Sequence, residues 1–224
     1  MRNSLLDSRG NRNFGNMFDV HTHKRNAEWR GSAIVNLKVD DNVDMYPYFS
    51  LGIHPWDVDE LWTDKLQRLK CTVDKLVSMN NSSFCAIGEI GLDHLKGGSM
   101  DLQIRCFEEQ LGMAEYYAKP VIVHCVKAFD ETLQVIKSLK FSMPVVFHGF
   151  RGKPEQARQL LDKGFYISFG PKFNPSSMKL AYAEGRMFLE TDDSGTDIAS
   201  VYESAGRVLN ISPTDIPVPG IFTS

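Results

Sequence analysis

The sequence predicts an α/β fold of the TIM-type (β/α)8 barrel class, distorted and shortened in its first βα unit. Three observations carry that expectation. Eight short apolar or β-branched runs alternate with amphipathic helical patterns along the 224 residues, the signature of a parallel α/β chain. Several runs are apolar on successive residues, as strands are when both faces of a parallel sheet are covered. Five of the six histidines fall at or just after the C-terminal end of one of these runs, the edge at which barrel loops converge on one mouth.

Taken in order, Met1 to Asn16 are rich in Asn, Ser, Arg and Gly with only Leu5, Leu6 and Phe14 to bury, and they read as a polar tail, disordered or upstream of the true start. Order begins at Met17, which is a candidate translation start, and residues 17–224 form one domain. The strand runs are Met17 to Val20, Ser32 to Val39, Tyr48 to Ile53, Phe84 to Ile87, Pro120 to Val123, Pro144 to Phe147, Phe165 to Phe169 and Arg186 to Leu189. Trp62, Leu66, Leu69, Val73 and Leu76 step by four and three, as do Phe107, Leu111 and Ala114, then Phe129, Leu133 and Ile136, so each set is the buried stripe of an outer helix. Pro154 and Gly164 bracket a short helix with the start-proline, stop-glycine asymmetry, and Asp197 to Leu209 supplies the last one. The first two strands are only about ten residues apart, too few for a full crossover helix, so the first unit is irregular. That trimming falls at the mouth and leaves it more open.

Composition excludes several classes. A formal charge of −3 gives no global basic field, so any nucleic-acid role must come from a local site. Cys71, Cys85, Cys106 and Cys125 form no Cys-x-x-Cys pair and read as reduced thiols, with a cytoplasmic location as the default. No apolar run approaches the length that crosses a bilayer. There is no GxGxxG or GxxxxGK[ST] phosphate loop and no G-x-S-x-G elbow. A Cys125–His124 nucleophilic pair is disfavoured because adjacent strand residues point to opposite faces.

The histidines and carboxylates at the strand ends are the chemical signal. His21 and His23 stand at i and i+2, so both rings project from one face while Thr22 points away. Asp19 shares that face and is a candidate to orient one ring. Glu89 emerges from an apolar strand between Gly88 and Gly91, where a carboxylate is costly unless paired or bound to a cation. Asp93 reads equally as a loop or helix cap and as a site residue. His124 and His148 end fully apolar strands, and Asp192 ends the eighth, with Glu190 on the same face. A mixed nitrogen and oxygen ligand set suits Zn, Mn or Mg, and its size suits two ions.

In order along the chain, Phe18-Asp-Val-His-Thr-His23, Gly52-Ile-His-Pro55, Ala86-Ile-Gly-Glu-Ile-Gly-Leu-Asp93, Pro120-Val-Ile-Val-His124, Val146-Phe-His-Gly-Phe150, Gly164-Phe-Tyr-Ile-Ser-Phe169 and Leu189-Glu-Thr-Asp192 together resemble the TatD family of metal-dependent hydrolases, within the amidohydrolase-like barrel group. The resemblance implies one divalent metal on His21, His23, Glu89 and Asp192 and a second on Glu89, His124 and His148, with Glu89 bridging. It also implies hydrolysis of a phosphodiester, most often in DNA, by a two-metal-activated water, with catalytic roles for Glu89 and Asp192 and His54 on the substrate side. The protein is then expected to act as a monomer, with no membrane and no protein partner. A small ester, amide or aminoacyl-linked substrate is the alternative, and a barrel that has lost catalysis is a third reading, against which the retention of every implied ligand weighs.

The departures from the family pattern concern substrate contacts. Val126 occupies the place of a phosphate-facing arginine, with Lys127 one position out of register, and Arg151 is the candidate replacement cation. Asp193 stands where the family has Ser, and Trp56 where it has His; Trp56 either stacks on a base or closes the mouth. Lys24, Arg25, Lys127, Arg151, Lys153 and Lys172 are candidate mouth cations, or solvated loop charge.

Overall fold

The computed structural model describes residues 17–25 and 33–222. The tail expected over residues 1–16 and most of the loop between the first two strands lie outside the described residues. Eight parallel strands close into a barrel in simple order, each paired with its sequence neighbour and the last with the first. They are β1 (Asp19–Thr22), β2 (Ala33–Leu37), β3 (Phe49–Leu51), β4 (Phe84–Asp93), β5 (Val121–Val126), β6 (Val145–Phe147), β7 (Tyr166–Phe169) and β8 (Met187–Leu189). The expected fold class is thus the observed one.

Among the described residues six helices cover the outside: α1 (Trp62–Ser78), α2 (Met100–Tyr116), α3 (Phe129–Ser138), α4 (Pro154–Asp162), α5 (Pro175–Ala183) and α6 (Ile198–Leu209). The stripe Trp62, Leu66, Leu69, Val73 and Leu76 is buried on α1 as its spacing requires. The described link from β2 to β3 carries one 3₁₀ turn (Val43–Met45) in place of a helix, while the link from β1 to β2, where the shortened unit is expected, lies mostly outside the described residues. α5 is an element that apolar spacing alone did not reveal. Its signal is a terminus rather than a stripe: Asn174 accepts the Ser176 and Ser177 amides and Pro175 follows at the first helical position.

Packing separates the molecule into two apolar volumes. Between barrel and helices lies the main core, with Leu37, Phe49, Leu51, Phe107, Leu111, Val123, Phe147 and Phe169 all buried. Inside the barrel a second cluster of Val20, Ile34, Ala86, Ile122, Val146 and Phe188 forms a plug. Two residues farther along the same strands the interior turns polar: Ile122 is followed by His124, Val146 by His148 and Phe188 by Glu190. The period of two in a strand therefore places the polar layer above the plug, at the C-terminal mouth.

Candidate metal centre

Glu89 is the centre of the polar layer, 2% exposed. Strict alternation would turn it outward, since Gly88 faces the barrel interior. The pairing of β4 with β5 shifts register between Gly88 and Ile90, and that of β1 with β2 shifts between Asp19 and Thr22. These irregularities bend the strands and aim Glu89 and His21 inward. Asn36 of β2 fixes the irregular backbone, its Oδ1 accepting the Glu89 amide at 2.7 Å and the Ser50 hydroxyl at 3.1 Å. Gly91 must be glycine for space: at φ +141°, a Cβ there would run into the His124 carbonyl.

Five imidazoles converge on the two oxygens of Glu89, and they sort by oxygen. His21 Nε2 and His23 Nε2 each lie 3.2 Å from Oε2, with Asp192 Oδ1 at 3.7 and 3.5 Å from the same two nitrogens. His124 Nδ1 and His148 Nε2 each lie 2.6 Å from Oε1, and His54 Nε2 lies 3.1 Å from it. Three overlapping groups have atoms close enough together to hold an ion: His21, His148 and Asp192; His21, His23 and Glu89; His54, Glu89 and His124.

The charges respond to this crowding. Burial by itself would raise the Glu89 carboxyl, but His148 and His21 outweigh it and hold the group well below the usual carboxylate range. Burial would depress His148, yet the charges of Glu89 and Glu190 lift it well above an ordinary imidazole. The same contest raises His23, through its bond to Glu89, and lowers His54, where burial prevails. For Asp93, hydrogen bonds from Trp56 and His124 outweigh burial and pull the carboxyl down.

Around the ring cluster stands a second set of carboxylates. Asp93 Oδ2 takes the His124 Nε2 side at 3.0 Å and accepts the Trp56 indole N–H at 2.6 Å. Glu190, fully buried, accepts the Gly149 amide at 2.6 Å and lies 3.4 Å from His148 Nδ1. Each of these two carboxylates faces the ring nitrogen that points away from Glu89, the arrangement that fixes an imidazole's orientation at a metal. Asp19, expected to orient a ring, instead accepts the Thr191 amide at 3.0 Å and the Thr191 hydroxyl at 2.6 Å. It ties β1 to the Asp192 segment and so acts on the site through the backbone; burial pushes its carboxyl up to about 7.

The donor set fits a divalent cation. Nε2 of His21 is buried without a hydrogen-bond partner among the described residues, although it faces Glu89 Oε2 at 3.2 Å and Asp192 Oδ1 at 3.7 Å. An orphaned buried nitrogen costs about 1–3 kcal/mol, and a cation among the converging lone pairs removes that cost. A mixed His and carboxylate set suits Zn, Mn or Mg. The structure offers no covalent nucleophile in the cluster: the Cys125 thiol turns toward α3, where Thr132 donates to it at 3.5 Å.

Of the residues singled out from sequence, His21, His23, His54, Glu89, His124, His148 and Asp192 come together, and Trp56 stands at their edge. Its ring centroid lies 4.8 Å from that of His54 and 6.0 Å from that of His124. Lys127 and Arg151 occupy exposed loop positions after β5 and β6, outside the three ion-sized groups. His94 pairs with Glu131 on the surface at 3.0 Å. Glu190 and Asp93 hold larger roles than their sequence positions suggested, and Lys96, 4.0 Å over the Trp56 ring, carried no signal in the sequence.

Comparison with known proteins agrees with this geometry. The model of the TatD related DNase family matches residues 11–194. A metal-dependent hydrolase of Buchnera aphidicola is 26% identical over 211 residues, covering 84% of this chain and 77% of that protein. The 3'-5' ssDNA/RNA exonuclease TatD of Citrobacter koseri is 32% identical over 119 residues, 52% of this chain and 43% of that protein. The chain spans 42% to 62% of the length of most of the curated relatives it matches. The crystal structure of YjjV, a TatD homologue from Escherichia coli K12, superposes with a TM-score of 0.69 at 22% identity, covering 91% of this chain and 99% of that one; at that identity it supports the barrel alone. With most of its length matched by the family's model and the strand-end histidines gathered on one buried carboxylate, the chain belongs to the TatD-related DNase family.

Proposed function

We propose that this protein is a divalent-metal-dependent hydrolase of phosphodiester bonds, with DNA as its substrate class. One observation carries the reading: the two oxygens of Glu89 face two different sets of ligand atoms, His21 and His23 with Asp192 beside them on one side and His124 and His148 on the other. That is the layout of two adjacent cation subsites sharing a carboxylate. In this reading one subsite is His21, His23, Glu89 and Asp192 and the other Glu89, His124 and His148. The relative named as a 3'-5' ssDNA/RNA exonuclease supports a nucleic-acid substrate.

Divalent cations held there would neutralise phosphoryl oxygens and make a coordinated water a better nucleophile at neutral pH. The residues of the chain do the rest. Asp192 is the cluster carboxylate most open to solvent, 26% exposed against 2% for Glu89, so it is placed to accept the proton of the attacking water. His54 receives the Trp56 amide on Nδ1 at 3.1 Å, so Nε2 carries the ring proton, which faces Glu89 Oε1 at 3.1 Å; a substrate phosphate oxygen would have to take that hydrogen bond over from Glu89. Arg151 and Lys127 at the rim are candidate phosphate contacts. The four cysteines are free thiols, and among the described residues no helix is long and apolar enough to cross a membrane.

The test is hydrolysis of single-stranded DNA and of a generic phosphodiester and ester, with and without Mg or Mn, by the wild type, Asp192→Asn and Glu89→Ala. The expected result is metal-dependent phosphodiester cleavage lost in both variants. Equal activity in all three proteins, or cleavage of the ester alone, overturns the assignment.

A further inference from the structure

We propose that Trp56 and Lys96 form a preorganised platform for one unpaired nucleotide beside the candidate metal centre, the indole taking the base and the ammonium its phosphate; this rests on the phosphodiesterase reading. Trp56 is 48% exposed, which is unusual for the largest apolar side chain next to a buried polar site. It is not loose. Its indole N–H is held by Asp93 Oδ2 at 2.6 Å, and its ring lies against His54 and His124. A ring so fixed and half exposed at the rim of such a cluster, with only a displaceable side chain over it, is a stacking surface.

The loop carrying Lys96 is fixed to the same anchor. Asp93 divides its oxygens: Oδ2 holds Trp56 and His124, while Oδ1 accepts the Leu95 amide at 2.7 Å and the Lys96 amide at 3.2 Å. Gln103, buried on α2, donates Nε2 to the carbonyls of Asp93, Lys96 and Gly98. Gly97, at φ +95°, lets the loop press against the Trp56 segment, since a Cβ there would collide with the Pro55 carbonyl. The result is a backbone-rigid pair in which the Lys96 ammonium rests 4.0 Å from the indole centroid.

An ammonium over an indole is attracted by the ring quadrupole, worth little at an exposed site. An incoming base competes for the same face and releases the ammonium toward the phosphate of that nucleotide. A base inside a duplex has both faces covered by its neighbours, so the platform is open to every unpaired base of a single strand but, in a duplex, only to the outermost pair. Stacking reads no sequence because every base has a π face. The platform therefore selects single-stranded or frayed ends, with little preference among bases.

The experiment separates binding from hydrolysis. Fluorescein-labelled oligothymidylate and a blunt duplex of equal length are titrated with EDTA-treated protein by anisotropy across a salt series, and the same strands are then assayed for cleavage in Mn. Trp56→Ala is expected to weaken single-strand binding roughly five- to hundredfold, with Trp56→Phe retaining most of it and the salt slope unchanged. Lys96→Gln is expected to lower the magnitude of the log–log salt slope by about 0.7, the value for one phosphate contact on a single strand. Wild-type affinity in Trp56→Ala, an unchanged slope in Lys96→Gln, or a wild type that prefers the duplex overturns the platform even if Mn-dependent cleavage persists. A wild type that neither binds nor cleaves either strand overturns the phosphodiesterase reading instead.

Discussion

Asp93 shows how one carboxylate can serve a candidate metal centre from outside the groups that could hold the ion. Its Oδ2 meets His124 at Nε2, the nitrogen opposite the one that faces Glu89. Accepting the Nε2 proton leaves Nδ1 with its lone pair free for a cation. Asp93→Ala is therefore expected to lower divalent-cation affinity by about 10–100-fold, measured by competition with a chromophoric chelator. Unchanged affinity would show that packing alone orients His124. Sequence reasoning left Asp93 between cap and site residue, and the structure shows why: Oδ1 makes the local turn bonds that a cap makes, to the Leu95 and Lys96 amides, while Oδ2 serves the site. The His124 contact spans 31 residues, and local spacing carries no trace of it.

At the scale of elements, α2 positions the loops as well as covering the barrel. Gln103 and Gln110 sit one heptad apart on its inward face, each 1% exposed. Gln110 accepts the Ile53 amide at 2.7 Å and donates to the Ile53 carbonyl at 3.1 Å, so it satisfies both backbone groups of the residue before His54. Gln103 does the same for Asp93, at 2.8 and 3.0 Å. Buried glutamines on an apolar stripe are expected to destabilise unless a partner is supplied, and here the partners are the two loops that present the site. Gln110→Leu would orphan two buried backbone groups at about 1–3 kcal/mol each. The expected loss is about 2–5 kcal/mol in urea unfolding, with a lower midpoint and an unchanged slope. A loss below about 1 kcal/mol would mean that the loop reorganises to find other donors. The helical stripe of α2 was legible from Phe107, Leu111 and Ala114, because packing follows the 3.6-residue period. The task of its glutamines was not, because it depends on which loop lies above them.

The whole barrel has two unlike ends. The interior plug of Val20, Ile34, Ala86, Ile122, Val146 and Phe188 closes the channel, and a cavity of about 680 Å³ lined by Phe18, Tyr48, Phe84, Lys119, Val218 and Phe222 lies on the N-terminal side of it. The histidine cluster lies on the C-terminal side, so the two volumes do not communicate through the barrel. This polarity was readable in the sequence wherever strands keep strict alternation, as in Ile122 with His124 and Val146 with His148. Where register shifts in β1 and β4 turn His21 and Glu89 inward, it was legible from residue type and motif and not from alternation, because a bulge breaks the period on which that reading depends. The same architecture makes a prediction for the molecule as a whole. A cation that binds the assembled cluster has no equivalent site in the unfolded chain, where the strands carrying Glu89, His124 and Asp192 are far apart, so it shifts the folding equilibrium by mass action. At a free concentration one hundred times its dissociation constant the gain is about 2.7 kcal/mol, which for a chain of this size raises the midpoint of thermal unfolding by about 5–10 °C. Calorimetry of the EDTA-treated protein before and after adding Mn or Zn measures it, with Glu89→Ala as the control expected to show no rise, because that variant lacks the carboxylate on which the five imidazoles converge. A midpoint that rises equally in wild type and Glu89→Ala would place the cation elsewhere on the molecule, and one that rises in neither would remove the metal centre from the account of this fold.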